Sequence, residues 1–279
     1  MKFYKYHALG NDYLVLDPAD FSKPISAELT KRVCHRNFGI GSDGILWGPL
    51  QEKKGCFGLR IFNPDGSEAE KSGNGLRIFS RYLWDRGLVH EEEFIIDTPG
   101  GQVVSRVHEE GRMVTVAMGQ VSFDSEVIPV SGPSREVIDE KMIIEGEEIR
   151  YCAATIGNPH CVLIRNSPSE EEARRLGPVI ENDTRFPNRT NVQFMKILDR
   201  HNIQIHIWER GAGYTLASGS SSSAAASVAY KLGLCDSMIA VHTPGGKVDI
   251  TVFEDFSVSM TGSVTKVAEG LLAEEALQQ

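Results

Sequence analysis

Two segments of the sequence each place a serine directly after a glycine-rich polar loop. Ser72 follows such a loop at 63–67, and Ser218 follows one at 209–213. Serine is among the residues that most often cap a helix N-terminus, so both segments predict a helix that begins just after the serine. The free N–H groups and the dipole of a helix end favour an anion. The sequence therefore predicts two anion-binding helix ends, each headed by a hydroxyl group.

These segments belong to a repeat that covers most of the chain. Three landmarks recur in the same order at offsets of 145 to 147 residues: Gly10 and Gly157, Ser72 and Ser218, and Thr98 and Thr243. A constant offset indicates two related halves. If the halves face each other about a pseudo-twofold axis, the two serines lie on opposite walls of one cleft. That arrangement suits removal of a proton from one face of a substrate and return to the other, as in a cofactor-free racemase or epimerase.

The composition predicts a globular protein that acts on a small molecule. Hydrophobic residues make up 41% and charged residues 24% of the 279 residues, which is ordinary for a packed domain. A net charge of −9 disfavours nucleic acid or an anionic membrane as a partner. No apolar run is long enough for a membrane span, and the chain starts with a strand pattern rather than a signal peptide. We expect a cytoplasmic protein, and the oligomeric state, a homodimer included, stays open.

The cysteines, the histidines and one glycine motif argue against a disulfide framework, a metal site and a nucleotide. The five cysteines are odd in number and form no CxxC pair, so free thiols in a reducing compartment are expected. The eight histidines are scattered without the spacing of a metal site. Residues 39–44 match G-x-G-x-x-G, but a helix pattern precedes them and a strand pattern follows. A dinucleotide-binding motif needs the opposite order.

Hydrophobic periodicity predicts an α+β protein. Helices with apolar or small-residue faces are expected at 73–86 and 219–229. Most other segments alternate like strands of antiparallel sheets. The chain is polar and less patterned at 120–150, and 267–277 are expected to form a short helix or a frayed tail. The prediction is two similar halves, each a mostly antiparallel sheet around a central helix.

Taken together, the motifs resemble those of the diaminopimelate epimerase family. The resemblance covers nearly the whole chain and rests on Gly10-Asn11-Asp12, Gly39-Ile40-Gly41-Ser42-Asp43-Gly44, Asn63-Pro64-Asp65-Gly66-Ser67, Ser72-Gly73-Asn74-Gly75-Leu76-Arg77, Gly157-Asn158-Pro159-His160, Glu209-Arg210-Gly211-Ala212-Gly213 and Ser218-Gly219-Ser220. It implies two pseudo-symmetric domains, 1–119 and 120–262, each a barrel-like sheet around a helix, with the tail 263–279 packing back onto the first. It also implies inversion of one α-carbon between LL- and meso-diaminopimelate, without a cofactor, in lysine and cell-wall synthesis.

The chain departs from that family at the reacting groups. The family's two acid/base residues are cysteines, whereas this chain has Ser72 and Ser218, and Ser223 stands where relatives often carry a further cysteine. A thiol at a helix N-terminus supplies both thiol and thiolate near neutrality, but an unassisted hydroxyl is far too weak an acid. No activating partner is evident in the sequence: His160 is the nearest candidate by motif, but nothing in the sequence places it beside either serine. We expect Ser72 and Ser218 to fill the catalytic positions with weakened or altered proton transfer. Natural divergence and engineered replacement both remain open.

The resemblance also implies a set of substrate-binding residues. Amide and charged side chains would hold the zwitterionic ends of the substrate, and they are Asn11, Asn63, Asn158, Asn191, Glu209 and Arg210. Residues at the two helix starts would offer N–H groups to the carboxylate of the reacting carbon, and they are Gly73, Asn74, Gly219 and Ser220. Asp65 and Arg77 would support the loop and the helix. Gly44 stands where relatives hold a glutamine, so that contact is absent or made by the backbone.

Two other functions remain compatible with these residues. One is an isomerase of the same fold acting on another amino acid, with serine assisted by a neighbour or by the substrate. The other is a binding protein that keeps the pocket without the chemistry. Turnover on a panel of amino acids separates the first, and thermal stabilisation by an amino acid without turnover indicates the second.

Overall fold

The computed structural model describes residues 1–21, 24–50 and 55–277. The chain forms two compact units, Met1–Ala117 with the segment from Thr261 onward, and Met118–Met260. The strands are β1 (Lys2–Ala8), β2 (Asn11–Leu16), β3 (Ile45–Leu50), β4 (Cys56–Phe62), β5 (Glu68–Ala69), β6 (Phe94–Thr98), β7 (Gly101–His108), β8 (Met113–Gln120), β9 (Glu140–Ile144), β10 (Glu147–Thr155), β11 (Pro159–Ile164), β12 (Asn191–Asp199), β13 (Asn202–Glu209), β14 (Gly213–Thr215), β15 (Met238–Thr243), β16 (Gly246–Val252), β17 (Ser257–Ser263) and β18 (Thr265–Leu271). The α-helices are α1 (Ala27–Cys34), α2 (Gly73–Asp85), α3 (Glu170–Glu181) and α4 (Gly219–Lys231). Short 3-10 helices lie at Pro18–Asp20, Glu109–Gly111 and Glu274–Leu277.

The first unit is a mostly antiparallel sheet. β1 and β2 form a hairpin in which Tyr6 lies opposite Tyr13, and β18 pairs with the other edge of β1. β2 runs parallel to β3, β3 antiparallel to β4, and β4 parallel to β6. β6, β7 and β8 continue in antiparallel order. The end of β4 at Phe62 therefore delivers the loop at 63–67 ahead of the start of α2.

The second unit repeats this pairing in the same order. β10 and β11 form a hairpin, β11 runs parallel to β12, and β12 runs antiparallel to β13. β13 runs parallel to β15, and β15 antiparallel to β16. The short strands β5 and β14 hold equivalent places, each antiparallel to the strand before it. The sequence repeat is thus also a repeat of strand topology, and the predicted α+β class is confirmed.

A buried helix fills the sheet of each unit. α2 packs against β1, β2, β3 and β7, and its Leu76, Phe79 and Leu83 are fully buried. Each of these side chains contributes roughly 1.5–3 kcal/mol by leaving water. In α4 every residue from 221 to 229 is buried, most of them serine or alanine, against β10 to β13, β15 and β16. The small side chains let those strands approach the helix closely, as the sequence predicts.

The two central helices begin and end in the same way. Ser72 and Ser218 are the N-cap residues, in extended conformation, and each side chain accepts a hydrogen bond from the third backbone N–H of its helix. Gly87 and Gly233 follow the helix ends, both with φ of 68°, a left-handed conformation that glycine adopts without strain. The N–H of Leu88 bonds to the carbonyl of Leu83 in a Schellman motif. Local capping chemistry therefore sets both helix lengths.

The segment 120–150 and the tail carry more regular structure than their sequence patterns indicate. The segment 120–150 contains β9 and the start of β10, joined at Gly146, whose φ of 83° suits a tight turn. The expectation of a short helix or a frayed end at 267–277 is wrong for the first part of the tail, which forms the regular strand β18, whereas a short 3-10 helix lies at Glu274–Leu277. Most side chains of β18 are exposed, so no alternation marks the strand, and its pairing with β1 creates it. Among the helices of the described residues, none has the length and hydropathy to cross a membrane.

Candidate active site

The hydroxyl of Ser72 is held between a helix end and a tyrosine. Its Oγ accepts a hydrogen bond of 3.1 Å from the N–H of Gly75, and it lies 3.3 Å from the hydroxyl of Tyr13 on β2. The carbonyl of Ser72 accepts the first bond within the helix, from Leu76. The N–H groups of Gly73 and Asn74 are therefore not used by the helix and can bind an anion. The sequence analysis did not identify Tyr13, because a tyrosine in an apolar strand is most simply interpreted as a residue of the hydrophobic core.

The side chains of Asn11 and Asn74 meet beside this helix end. The amide of Asn74 donates to the oxygen of Asn11 over 3.1 Å, and Asn11 donates to the carboxylate of Asp43 over 2.9 Å. Arg36 in turn donates to Asp43 over 2.7 Å. The guanidinium of Arg77 donates to the oxygen of Asn74. The amide of Asn11 is thus fixed at both ends and keeps one N–H and one lone pair for a ligand.

The carboxylate of Asp12 adds to the charge around Asn11. Lys5 lies 2.8 Å and Arg36 lies 2.9 Å from its oxygens. Burial acts to raise the pKa of Asp12, but the hydrogen bonds from Arg36 and Lys5 outweigh it and hold that pKa below its ordinary value. Asp12 therefore stays ionised and fixes the start of β2.

Asn63 lies in a loop that is ordered by its own side chains. Its amide donates to the hydroxyl of Ser67 over 3.0 Å, and Asp65 accepts from both the N–H and the hydroxyl of Ser67. Gly66 has φ of 82°, and a Cβ there would lie 2.7 Å from the Cβ of Ala27. These contacts agree with the supporting role expected of Asp65.

Ser218 has a carboxyl group beside it, which the sequence did not predict. Its hydroxyl is close enough to the carboxyl group of Glu209, the last residue of β13, to act on the pKa of that group. Burial raises the pKa of Glu209, and the Ser218 hydroxyl offsets part of that rise. Ser218 Oγ also lies 3.4 Å from the N–H of Ser221 and 3.5 Å from the hydroxyl of Ser220. As in the first unit, the carbonyl of the capping serine accepts the first hydrogen bond within the helix, here from the N–H of Ser222. The N–H groups of Gly219 and Ser220 are therefore not used by the helix and can bind a ligand.

His160, the candidate partner of a serine, has both ring nitrogens engaged elsewhere. Its Nε2 lies 3.0 Å from the side-chain oxygen of Asn158, and its Nδ1 lies 3.1 Å from the amide nitrogen of Gln193. Gln193 also donates to Ser221 over 3.0 Å. Full burial lowers the pKa of His160 to about 3, so the ring is neutral. Both ring nitrogens of His160 thus contact Asn158 and Gln193 instead of a catalytic serine, and Glu209 is the group beside Ser218.

The remaining predicted residues gather around the strand ends of the second unit. Asn158 lies 3.5 Å from the hydroxyl of Ser220. Asn191 donates to the carbonyl of Pro159 over 2.8 Å and accepts from the N–H of Arg210 over 3.0 Å. The guanidinium of Arg210 donates to the carbonyl of Asn188 over 2.9 Å. Asn191 therefore holds the turn that carries Arg210, with its own amide largely occupied.

Within the described residues, no three His, Cys, Asp or Glu side chains cluster in a way that could hold a metal ion. Each unit instead offers two helix N–H groups, a hydroxyl and asparagine amides around its capping serine. Such groups bind carboxylates and stabilise charge that develops on them. The halves differ in their ionisable groups, with Glu209 beside Ser218 and Tyr13 beside Ser72.

Comparison with known proteins identifies the family. The diaminopimelate epimerase family model matches residues 3–123 and 152–267. Diaminopimelate epimerase 2 of Nostoc sp. strain PCC 7120 is 64% identical over 275 residues, spanning 99% of this chain and 96% of that protein. A diaminopimelate epimerase of Desulfitobacterium hafniense is 37% identical over 285 residues, spanning 99% of this chain and 100% of that one. A crystal structure of a probable proline racemase from Agrobacterium radiobacter K84 shares the fold, with a TM-score of 0.70 at 14% identity over 98% of this chain and 92% of that chain. The chain belongs to the diaminopimelate epimerase family.

Proposed function

We propose that this chain is a cofactor-independent amino-acid epimerase that interconverts LL- and meso-diaminopimelate, with proton transfer altered by Ser72 and Ser218. The observation that carries the proposal is the pair of matching helix ends, each with a capping serine and two N–H groups not used by the helix. The family membership and the identity of 64% to a diaminopimelate epimerase support the substrate. The pathway is lysine and cell-wall synthesis.

The proposed site has three kinds of contact with the substrate. Helix N–H groups of Gly73, Asn74, Gly219 and Ser220 bind the carboxylate at the reacting carbon and stabilise the charge of the carbanion. Asn11, Asn63, Asn158 and Asn191 hold the polar ends of the substrate, directly or by fixing the loops around it. Glu209 and Arg210 bind the α-ammonium and a carboxylate. The division of the chain is 1–119 and 120–262, with the tail 263–279 assigned to the first half, and two compact units support it.

Glu209 supplies the base that a serine lacks. As the α-proton moves to Ser218 Oγ, the hydroxyl proton of Ser218 moves to the Glu209 carboxylate, so a carbanion and a neutral carboxyl group are formed. The raised pKa of Glu209 brings its proton affinity closer to that needed at neutral pH. Ser72 donates a proton to the carbanion and takes one from Tyr13, since a phenol is a stronger acid than an alcohol. Tyr13 then regains a proton from solvent and Glu209 releases its proton to solvent, which restores both groups.

This scheme predicts a slow enzyme whose halves differ. The Ser218 side has a carboxyl group to accept a proton, whereas the Ser72 side depends on a tyrosine hydroxyl 3.3 Å away. A thiol would perform both tasks without help. The free cysteines and the net charge of −9 support a cytoplasmic enzyme with a small-molecule partner and neither nucleic acid nor membrane.

The test is α-proton exchange on diaminopimelate in deuterated water, followed by NMR, with epimer formation followed by chiral chromatography. The native chain should exchange the α-proton slowly. The double variant Ser72→Cys/Ser218→Cys should be faster, by about 10²-fold or more. Ser72→Ala and Ser218→Ala serve as controls that remove the hydroxyls. If neither the native chain nor the double variant binds diaminopimelate or exchanges its α-proton, diaminopimelate is not the substrate. Binding without exchange in either protein would make it a binding protein.

A further inference from the structure

One cation is buried in the first unit without a carboxylate partner. Arg77 on α2 is fully buried, and its Nη2 donates to the side-chain oxygen of Asn74. Its Nε and Nη1 have no hydrogen-bond partner in the described part of the chain, and no carboxylate there acts on its pKa. Buried charges are usually paired, so an unpaired one calls for a reason. Burial lowers the pKa of Arg77 to about 10, which still leaves it charged at neutral pH.

The charge lies next to the first turn of α2. Asn74, which accepts from Arg77, is the second residue of the helix, and Ser72 is its cap. Asn74 passes a hydrogen bond on to Asn11, so the cation polarises a short amide chain. A positive charge here adds to the positive end of the helix dipole. The interior also screens it less than water would.

The second unit has no counterpart of this cation. The repeat offset of 146 residues places Ser223 at the position of Arg77, and Ser223 is buried with its hydroxyl donating to the carbonyl of Gly219. The same offset places Glu209 at the position of Asn63. The Ser72 helix end therefore has a buried cation behind it, whereas the Ser218 helix end has a carboxyl group beside it. Two helix ends with the same fold thus differ in one buried ionisable side chain, a cation on α2 and a carboxyl group at the end of β13.

We propose that Arg77 is an electrostatic positioning residue that makes the N-terminal end of α2 the stronger anion-binding end of the two. The carboxylate of the reacting carbon then binds chiefly at Gly73 and Asn74, and an acid at position 72 ionises more readily than one at position 218. This inference rests on the proposed function for its substrate, but its electrostatic part does not need the substrate.

A thiol placed at each cap position reports the local potential. Ser72→Cys and Ser218→Cys are made singly, and the pH dependence of alkylation by iodoacetamide is followed by mass spectrometry of the modified peptide. This readout separates the new thiol from the five native cysteines. We expect the thiol at position 72 to have a pKa lower than that at position 218 by about 1–2 units. Equal thiol pKa values at the two positions, or a lower pKa at position 218, would overturn the proposal, and this result needs no variant of Arg77.

Variants of Arg77 then test the cause. Arg77→Met in the Ser72→Cys background should raise the thiol pKa by about 1 unit, while Arg77→Lys, which keeps the charge, should restore most of the lowering. Arg77→Met with Ser218→Cys is the matched control and should leave that thiol unchanged. Circular dichroism confirms that each variant is folded. A folded Arg77→Met protein with an unshifted thiol pKa at position 72 refutes the role of Arg77. Protection of the thiol at position 72 from alkylation by LL-diaminopimelate tests the substrate separately. A failure of the proposed function is therefore distinguishable from a failure of the role proposed for Arg77.

Discussion

The backbone N–H of Arg210 donates a hydrogen bond of 3.0 Å to the side-chain oxygen of Asn191. Asn191 begins β12, and Arg210 follows the end of β13, its antiparallel neighbour. The amide nitrogen of the same asparagine donates to Pro159, which begins β11. One buried amide thus joins three strand ends at the point where Glu209 and Arg210 leave the sheet. The geometry of the turn depends on this amide.

Replacing Asn191 should therefore affect both stability and substrate binding. Asn191→Ala leaves the N–H of Arg210 and the carbonyl of Pro159 unpaired in a buried place, which costs about 1–3 kcal/mol of unfolding free energy. Displacement of Arg210 should also raise KM. Urea denaturation and steady-state kinetics measure the two effects. Asn166→Ala at an exposed position is the control and should change the unfolding free energy by less than about 0.5 kcal/mol. An Asn191 variant no less stable than this control would contradict the role.

Glu181 on α3 should be a second fixed point of the same turn. Its buried carboxylate accepts from the N–H of Gly211 over 2.9 Å, from Arg189 over 3.0 Å and from the indole of Trp208 over 2.7 Å. Glu181→Gln replaces one acceptor by a donor, so one of these bonds is lost, and we expect a loss of about 1–3 kcal/mol in urea denaturation.

Glu170→Gln is the matched control for Glu181, because Glu170 lies on the same helix and its one ion pair among the described residues is with the exposed Arg174. Such a surface pair contributes about 0–1 kcal/mol. If both glutamine variants lose the same small amount of unfolding free energy, the turn does not depend on Glu181.

The neutral state of His160 predicts how stability changes with acid. Its pKa is lowered to about 3 by burial, whereas the pKa of a histidine in the unfolded chain is about 6.5. Below about pH 6.5, His160 binds a proton in the unfolded state but stays neutral in the folded state. The folded state therefore loses stability as the pH falls from about 6.5 towards 3. The full loss is on the order of 5 kcal/mol.

The measurement for His160 is urea denaturation at several pH values between 4 and 7. The unfolding free energy of the native chain should fall more steeply with acid than that of His160→Gln. His201→Gln, at an exposed histidine, should keep the slope of the native chain. Parallel curves for the native chain and His160→Gln would show that His160 does not titrate on unfolding.

Local chemistry explains which parts of the fold the sequence could predict. The start of α2 was predicted at Gly73, where it lies, because a serine cap and an apolar stripe are encoded within a few residues. The strand β18 was missed because its exposed side chains carry no alternation and its partner is at the other end of the chain. The repeat, by contrast, needs only the comparison of the chain with itself.

The same reasoning applies to the candidate site. The asparagines and glycines stood out because their types and spacing repeat. The pairs Glu209 with Ser218 and Tyr13 with Ser72 did not, because each joins residues from different elements and depends on how helix and strand pack. Arg77 was expected to support the helix, and only its burial without an ion pair shows that its charge needs another explanation.

The contact between Tyr13 and Ser72 gives the last prediction. Tyr13→Phe removes the hydroxyl 3.3 Å from Ser72 and leaves the ring in place, so the unfolding free energy should fall by only about 0.5–1.5 kcal/mol. The α-proton exchange on diaminopimelate should fall by about 10²-fold, because Ser72 loses its proton source. The same change in the Ser72→Cys background should have a much smaller effect on exchange, since a thiol ionises without help. Gly44→Ala tests the contact sterically: a Cβ there would lie 2.7 Å from Cε1 of Tyr13 and 2.6 Å from the carbonyl oxygen of Phe62, and it should slow exchange by displacing the ring. Equal losses for Tyr13→Phe with serine and with cysteine at position 72 would mean that the tyrosine hydroxyl does not serve Ser72.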